Sequence, residues 1–273
     1  MGCAVRPARG LPGGLSALRL FDTHCHLTHP RLRDEVAEVC TRAWEAGLVG
    51  CMTIGTGVAD AREARALAGS DPGRLRCAAG IDPFSAHTAG DRFPDELDAL
   101  GALLREGGFA AVGEIGLDYH HALDPAPVQA ERLHPQLLLA AELDLPVVLH
   151  VRDAHADLAA ILREHPACRG VVHSFTGTPA EAETYLALGW HLAFNGILTY
   201  RREGPLADAA RACPVERLLV ETDSPYLAPV PLRGRRCEPA LVAHTLHHLA
   251  ALRGEDAASL AQATTANAWA LLA

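Results

Sequence analysis

Eight short apolar runs alternate with helix-like stretches along this chain, with a repeat of about thirty residues. The runs read as strands over residues 20–24, 48–55, 75–81, 109–115, 146–151, 170–173, 190–194 and 218–222. Such alternation is typical of a parallel sheet covered by helices. Eight repeats favour a closed barrel over an open, doubly wound sheet. We therefore predict the α/β class, with a single TIM-like (β/α)8 barrel.

Helical spacing of apolar residues predicts the segments that separate the strands. The clear examples are 32–46, 61–68, 97–106, 128–143, 154–164 and 180–188, with C-terminal helices over 239–252 and 255–272. No linker interrupts residues 20–273, which we predict to form one barrel domain. Residues 1–19 are rich in Arg, Gly and Pro and lack the apolar core of a signal peptide. They are predicted to be a disordered leader.

The composition limits the classes of partner. The chain has 273 residues, 49% of them hydrophobic, and no apolar run approaches the roughly 18 residues that cross a bilayer. The net charge of −9 argues against a broadly basic nucleic-acid surface. It leaves room for a local phosphate site, because two divalent cations would supply positive charge there. The eight cysteines form no Cys-x-x-Cys pair, which favours a reducing cytoplasm.

Residues of metal-ligand type recur at the ends of the apolar runs. They are His24, His26, Glu114, His150, His173 and Asp223. In a barrel, the carboxyl ends of strands 1, 4, 5, 6 and 8 would bring them to one mouth, where barrel enzymes carry their chemistry. Four imidazoles and two carboxylates are enough ligands for two divalent cations. This set predicts a metal-dependent hydrolase.

Each ligand candidate also has a plainer interpretation. His24 and His26 point the same way on a strand, with Cys25 in the opposite layer. Glu114 could accept a loop hydrogen bond, but its two oxygens suit a carboxylate that bridges cations about 4 Å apart.

His150 and His173 could each be a core histidine, and together they are natural ligands of a second cation. Asp223 could ligate the first cation, act as general base, or do both. With Glu114, it is the candidate catalytic carboxylate.

Several further residues are candidates for substrate binding. Arg152 follows His150 by two residues, and Arg233 opens a short basic loop, so both are candidates for binding phosphate. Tyr119, Tyr200 and Tyr226 are candidates for stacking on bases. Asp82 and His87 lie in a loop after strand 3 that would reach the same mouth. The remaining histidines lie on helical or loop segments and are predicted to be mostly solvated.

As a set, these motifs resemble those of the TatD family of metal-dependent deoxyribonucleases. The matching segments are Asp-Thr-His-Cys-His-Leu (22–27), Gly-Glu-Ile-Gly-Leu-Asp-Tyr (113–119), His-x-Arg (150–152), His-Ser-Phe-Thr-Gly (173–177), Glu-Thr-Asp-Ser-Pro-Tyr-Leu (221–227) and Arg-Gly-Arg-Arg (233–236). The resemblance runs from about residue 20 to the C-terminus and includes Asn267. Two positions depart from the family pattern. Gly-Ile-Asp-Pro (80–83) replaces Gly-Ile-His-Pro, and Cys237 replaces an Asn.

The resemblance implies a two-metal site and 3′-to-5′ exonuclease or general DNase activity in the cytoplasm. It implies that His24, His26 and Asp223 hold the first cation, that Glu114 bridges, and that His150 and His173 hold the second. Mg²⁺, Mn²⁺ and Zn²⁺ are the candidate ions, and the imidazoles favour Zn²⁺ or Mn²⁺.

The leading hypothesis is therefore hydrolysis of DNA phosphodiesters, from 3′ ends of single strands, through a metal-activated water. DNA is the expected partner, and no obligate protein partner is evident. One alternative is an ester or amide hydrolase, acting on a small molecule or on aminoacyl-tRNA. Another is a non-catalytic metal-binding or partner-binding protein.

Overall fold

The computed structural model describes residues 18–121 and 123–273, and eight parallel strands form one sheet in chain order. The strands are β1 (Leu20–Cys25), β2 (Leu48–Thr56), β3 (Leu75–Gly80), β4 (Ala111–Asp118), β5 (Val147–Arg152), β6 (Gly170–Val172), β7 (His191–Phe194) and β8 (Leu218–Val220). Each strand pairs in parallel with the next. The predicted barrel is confirmed.

Helices connect the strands and follow the last one. They are α1 (Val36–Glu45), α2 (Val58–Ser70), α3 (Pro83–Ala89), α4 (Phe93–Arg105), α5 (Ala126–Glu142), α6 (His155–Glu164), α7 (Pro179–Ala187), α8 (Pro205–Ala212), α9 (Val242–Arg253) and α10 (Ala257–Leu271). Short 3-10 helices cover Arg33–Glu35, Gly90–Arg92, Gly196–Tyr200, Val215–Arg217 and Pro239–Leu241. None of the helices in the described ranges is both long and apolar enough to cross a membrane.

The seam between β8 and β1 is closed by the segment that follows β8. The backbone N–H of Asp223 donates to the carbonyl of His24 at 2.8 Å, and that of His26 donates to Ser224 at 2.8 Å. Cys25 and Ser224 form a parallel bridge. The two ends of the sheet therefore meet at residues that the sequence marks as ligands.

Apolar side chains fill two layers. Inside the barrel, Phe21, Met52 and Ile54 pack together, and Trp269 of α10 lies edge-on to Phe21 with ring centroids 4.9 Å apart. A larger layer, rich in Leu and Ala, separates the sheet from the helices, and it includes Cys25. Because α10 packs at the start of β1, the carboxyl end of the barrel is the end left for a site.

The largest differences between the predicted and observed elements are in three places. β4 continues to Asp118, three residues beyond its predicted end, because it keeps pairing with β5 as far as Arg152. Helices α3 and α8 were not predicted. They have seven and eight residues, fewer than the roughly 11–18 over which a helical period is normally read.

The predicted leader, residues 1–19, lies outside the described residues except for Leu18 and Arg19. Leu18 is buried. The hydroxyl of Thr265 in α10 donates to the carbonyl of Arg19 at 2.9 Å. These two residues therefore contact the barrel.

A glycine in β4 provides a test of the packing between β4 and β5. Gly116 has φ +153°, and a Cβ there would overlap the carbonyl oxygen of His150. We expect Gly116→Ala to lower the free energy of unfolding by about 2 kcal/mol or more, since the paired backbones would have to separate. Gly69, in α2, has open space around it, so Gly69→Ala is the matched control.

Thermal denaturation followed by circular dichroism would compare the two variants. Gly116→Ala should melt several degrees below the wild type, while Gly69→Ala should melt at or slightly above it, because Ala favours helix by about 1 kcal/mol over Gly. Equal midpoints for both variants would contradict the close approach of β4 to β5.

Candidate metal centre

Six side chains converge at the carboxyl end of the barrel. We call them the mouth cluster: His24, His26, Glu114, His150, His173 and Asp223. His24 lies in β1, Glu114 in β4 and His150 in β5, while the other three lie just beyond β1, β6 and β8. The structure thus brings together every residue that the sequence predicted as a ligand.

Glu114 stands between two groups of histidines. Its Oε2 lies 3.4 Å from Nε2 of His24. Its Oε1 lies 2.8 Å from Nδ1 of His150 and 3.0 Å from Nε2 of His173. Glu114 as a whole residue is 7% exposed. One oxygen faces each group, which is the arrangement that a bridging carboxylate requires.

Asp223 completes the group on the β1 side. Its Oδ1 lies 3.3 Å from Nε2 of His26 and 3.8 Å from Nε2 of His24. The two histidine nitrogens are 3.2 Å apart. Ligand atoms lie within 4.8 Å of one another in two sets, His24 with His26 and Asp223, and His24 with Glu114 and His173.

The backbone around the mouth cluster is irregular where it positions these side chains. The pairing of β4 with β5 shifts register between Gly113 and Ile115, at Glu114 itself. β3 also approaches closely, because a Cβ at Gly80 would lie 2.5 Å from the carbonyl oxygen of Glu114. Asp223 has φ +59°, a conformation uncommon for residues other than glycine. Such conformations concentrate at functional sites.

The charges of the cluster depend on burial and on neighbouring groups. Burial would raise the pKa of Glu114, but the imidazoles, led by His173, hold that pKa well below its usual range. The pKa of Asp223 is likewise lowered, against burial, by its hydrogen bond with His26. Burial would lower the pKa of His150, but its carboxylate partners raise that pKa to about 9. Both carboxylates are therefore ionised at neutral pH, as ligands must be, whereas His150 must release a proton before it can bind a cation.

The donor set fits divalent cations. Nε2 of His24 faces Nε2 of His26 at 3.2 Å, and the rings of His24 and His173 stack in parallel at 3.9 Å. The buried Nδ1 of His24 has no hydrogen-bond partner in the described part of the chain. Convergent lone pairs repel unless a proton or a cation lies between them. Imidazole nitrogen and carboxylate oxygen are ligands that Zn²⁺ and Mn²⁺ accept.

Two buried carboxylates behind the cluster were given no role by the sequence analysis. Oδ2 of Asp118 lies 3.0 Å from Nε2 of His150. Oε1 of Glu221 lies 3.5 Å from Nδ1 of His173 and accepts a 2.6 Å hydrogen bond from the N–H of Ser174. Carboxylates in such positions fix the orientation of a histidine ligand. Both lie within the motifs quoted above, so an acidic residue in those segments was the sequence feature that could have identified them.

Asp22 is a third unassigned carboxylate, and it ties β1 to the segment after β8. It accepts hydrogen bonds from the N–H of Thr222 at 2.8 Å and from its hydroxyl at 2.6 Å. The N–H of His24 lies 3.3 Å from the same carboxylate. Because Thr222 precedes Asp223, this fully buried group sets the spacing of two cluster residues.

A cavity of about 560 Å³ opens above the cluster, and it includes only part of the predicted substrate-binding set. Arg152 and Tyr226 line it. Tyr119 does not, since its hydroxyl donates to Asp157 at 2.9 Å in a neighbouring groove. Arg233 lies over the ring of Tyr200, 4.3 Å from its centroid, also outside the cavity.

Two histidines that the sequence analysis left without a role, His29 and His121, form part of the cavity wall, and His121 is exposed there as predicted. Nε2 of His29 lies 2.9 Å from the hydroxyl of Tyr226. Nδ1 of His121 lies 2.9 Å from Asp118. Both positions depend on contacts between loops that are distant in sequence, which residue spacing does not reveal.

The two departures from the family pattern have different surroundings. Asp82 lines the cavity and caps α3, accepting hydrogen bonds from the N–H groups of Phe84 at 3.1 Å and Ser85 at 3.3 Å. Cys237 is fully buried, and its N–H donates to the carbonyl of Pro225 at 3.1 Å. Only Asp82 therefore contributes to the wall of the site.

Comparisons with known proteins agree with this geometry. The family model for the TatD related DNase matches residues 21–273. YcfH of Escherichia coli (strain K12), named an uncharacterized metal-dependent hydrolase, is 38% identical over 253 residues, which are 91% of this chain and 93% of YcfH. A protein of Pantoea vagans (strain C9-1), named 3′-5′ ssDNA/RNA exonuclease TatD, is 36% identical and covers 91% of this chain and 97% of its own length.

A solved structure has the same fold. The crystal structure of YjjV, a TatD homologue from Escherichia coli K12, superimposes with a TM-score of 0.87 at 32% identity. The match covers 93% of this chain and 97% of YjjV.

Cation binding tests the proposed ligands directly. We expect His26→Asn to weaken Mn²⁺ binding by chelator-stripped protein at least about tenfold, because the group with His24 and Asp223 loses a donor. His134→Asn is the matched control, because His134 lies on α5, outside the cavity. Its Nδ1 is 2.8 Å from Nε2 of His165. Isothermal titration calorimetry gives affinity and stoichiometry. Equal affinities for both variants would contradict the assignment of His26.

Proposed function

This chain belongs to the TatD-related DNase family, and on that premise we propose that it removes nucleotides from 3′ ends of single-stranded DNA. It is a TatD-family metal-dependent hydrolase. The observation that carries the proposal is the mouth cluster, in which one carboxylate joins two groups of imidazoles beneath an open cavity. That arrangement suits a phosphodiester, whose attacking and leaving oxygens both need stabilisation.

The proposed ligands fall into two sets. His24, His26 and Asp223 would hold one divalent cation, His150 and His173 would hold the other, and Glu114 would bridge. Bound cations supply Lewis acids for the phosphoryl group and make water a stronger nucleophile at neutral pH. Mg²⁺, Mn²⁺ and Zn²⁺ are the candidates, with the imidazoles favouring Mn²⁺ or Zn²⁺ over Mg²⁺.

Asp223 is the proposed general base. Its carboxylate is ionised, because the hydrogen bond with His26 lowers its pKa against the effect of burial. It also lines the cavity, so a water that attacks phosphorus in the cavity can pass its proton to a carboxylate oxygen. Glu114, the second proposed catalytic carboxylate, is enclosed by histidines and serves to join the two halves of the site.

Arg152 is the proposed phosphate-binding residue. Its side chain is exposed at the end of β5, lines the cavity, and makes no salt bridge within the described ranges of the chain. A guanidinium without an acidic partner is available to pair with a phosphate. On a protein of net charge −9, it gives the mouth a local site for a polyanion.

Tyr226 supports the preference for single strands. Its ring is 44% exposed and lines the cavity, and its hydroxyl is held by His29 at 2.9 Å. A fixed aromatic face can stack on any base, provided that the base is not already stacked and paired in a duplex.

An ester or amide hydrolase is the second candidate function, and one observation favours it. The carboxylate of Asp82 lies in the cavity wall, where it would repel a polyanion. The same cation chemistry serves a carbon centre, since a fold does not determine the substrate.

The free thiols support a location in the cytoplasm. The seven cysteines that the structure describes are all unpaired, and six of them, all but Cys40, are buried. Unpaired cysteines in such number suit a reducing compartment.

Hydrolysis of an end-labelled oligonucleotide tests the proposed function. Chelator-stripped protein receives Mg²⁺, Mn²⁺ or Zn²⁺, with a single strand labelled at its 5′ end as substrate. We expect a ladder that shortens from the 3′ end, and its loss, by about a hundredfold or more in rate, in Asp223→Asn. His134→Asn, outside the site, should behave as wild type.

The alternatives give different results in the same assay. Metal-dependent cleavage of esters or amides, with none of the oligonucleotide, would favour the second candidate function. Cation binding with no hydrolysis of any of these substrates would indicate a non-catalytic metal-binding protein. An undiminished rate in Asp223→Asn would remove the proposed general base.

Arg152 and Arg233 provide a matched pair for phosphate binding. We expect Arg152→Ala to raise KM for the oligonucleotide about tenfold with a smaller effect on kcat, since a charged hydrogen bond contributes about 1.5–3 kcal/mol. Arg233→Ala removes an arginine that lies outside the cavity and should change KM less than twofold. Steady-state kinetics at two salt concentrations measure both effects. A larger effect from Arg233→Ala would show that the substrate follows another path.

A further inference from the structure

We propose that Phe84 is a base-stacking residue that sets the specificity of this site for single-stranded nucleic acid. The inference rests on the proposed function and adds a residue to which neither the motifs nor the resemblance assigned a role. Phe84 is the second residue of the short helix α3, which follows β3, and it lines the cavity above the mouth cluster.

The exposure of Phe84 is the first observation. Its side chain is 43% exposed, and the large apolar residues with comparable exposure in the described ranges are Leu138, Tyr226 and Val230. The aromatic members of this set, Phe84 and Tyr226, both line the cavity. An aromatic ring left in water at the mouth of a site is a surface that a ligand can cover.

Phe84 is also fixed in place. The carboxylate of Asp82 accepts the N–H of Phe84 at 3.1 Å, which holds the first turn of α3. The ring of His121 packs against one side, with centroids 5.0 Å apart at 59°. His121 is itself held by Asp118 at 2.9 Å. A ring that is already ordered loses little conformational entropy when a base stacks on it.

The two exposed rings stand on different sides of the mouth. Phe84 follows β3 and Tyr226 follows β8, three strands apart around the barrel. Glu114 and Asp223 line the same cavity. A phosphate at the mouth cluster has a nucleotide on each side, and we assign one ring to each of the two flanking bases. The bases of a duplex are stacked and paired, and this contact therefore selects single strands.

Substitutions at Phe84 test the contact. We expect Phe84→Ala to lower kcat/KM on a single-stranded oligonucleotide about tenfold, as expected for the loss of one base–aromatic stack. Phe84→Trp should retain the wild-type kcat/KM. Phe84→Leu keeps apolar bulk without an aromatic face, so its kcat/KM should be as low as that of Phe84→Ala. Leu138→Ala is the matched control, because Leu138 is 60% exposed on α5 and lies outside the cavity. Thermal midpoints equal to wild type would confirm that the variants are folded.

Substrates that lack one base identify the partner of the ring. Two oligonucleotides carry an abasic residue, one at the 3′-terminal position and one at the next. On one of them, the kcat/KM of the wild type should fall about tenfold relative to the complete oligonucleotide. On that same substrate Phe84→Ala should have the same kcat/KM as the wild type, because the missing base has already removed the contact. On the other abasic oligonucleotide, Phe84→Ala should still lower kcat/KM about tenfold relative to the wild type.

Two results would overturn the inference while leaving the proposed function intact. One is wild-type kcat/KM in Phe84→Ala and Phe84→Leu on the complete oligonucleotide. The other is a loss that persists undiminished on both abasic substrates. Failure of the wild type to cleave any oligonucleotide with any of the three cations would overturn the proposed function, and the inference with it.

Discussion

The organisation of this site depends on the contact of one buried carboxylate with imidazoles on both sides. Glu114 lies within 3.4 Å of His24, His150 and His173, and each oxygen faces a different group. The surrounding backbone accommodates this position, since β4 shifts register at Glu114 and β3 passes close to its carbonyl. If water surrounded this carboxylate instead of imidazoles, no further ligands would lie beside its two oxygens, and it could not join two cation sites. The register shift in β4 therefore places the carboxylate that joins the two proposed cation sites.

Acidic side chains behind the mouth cluster hold its residues in position. Asp118 holds His150, and Asp22 joins β1 to Thr222 immediately before Asp223. The latter contact also lies where β8 meets β1, a seam closed by hydrogen bonds of His24 and His26 rather than by a regular strand ladder. Closure of the barrel and assembly of the site thus use the same residues. Interactions shared in this way are expected to be strongly coupled, so double substitutions within the set should not be additive.

The sequence was sufficient to predict the strands and the mouth cluster, and it was not sufficient to predict the cavity wall. Ligand-type residues such as His150 end apolar runs, and parallel strands place their ends together, so topology alone assembles them. The wall consists of loops, where sequence position says little about direction. Arg233 and Tyr119 belong to motifs near the mouth and yet point elsewhere. Phe84 belongs to a seven-residue helix without a detectable period, and only its tertiary surroundings reveal its exposure.

Anomalous diffraction from crystals grown with Mn²⁺ would show whether Glu114 joins two cation sites. We expect two anomalous peaks, one on either side of the Glu114 carboxylate, the first among His24, His26 and Asp223 and the second beside His150 and His173. Two-metal sites place their ions about 3.5–4 Å apart, so the peaks should be separable and bridged by that carboxylate. A single peak without contact to Glu114, or peaks only outside the mouth cluster, would contradict a bridging role for this residue.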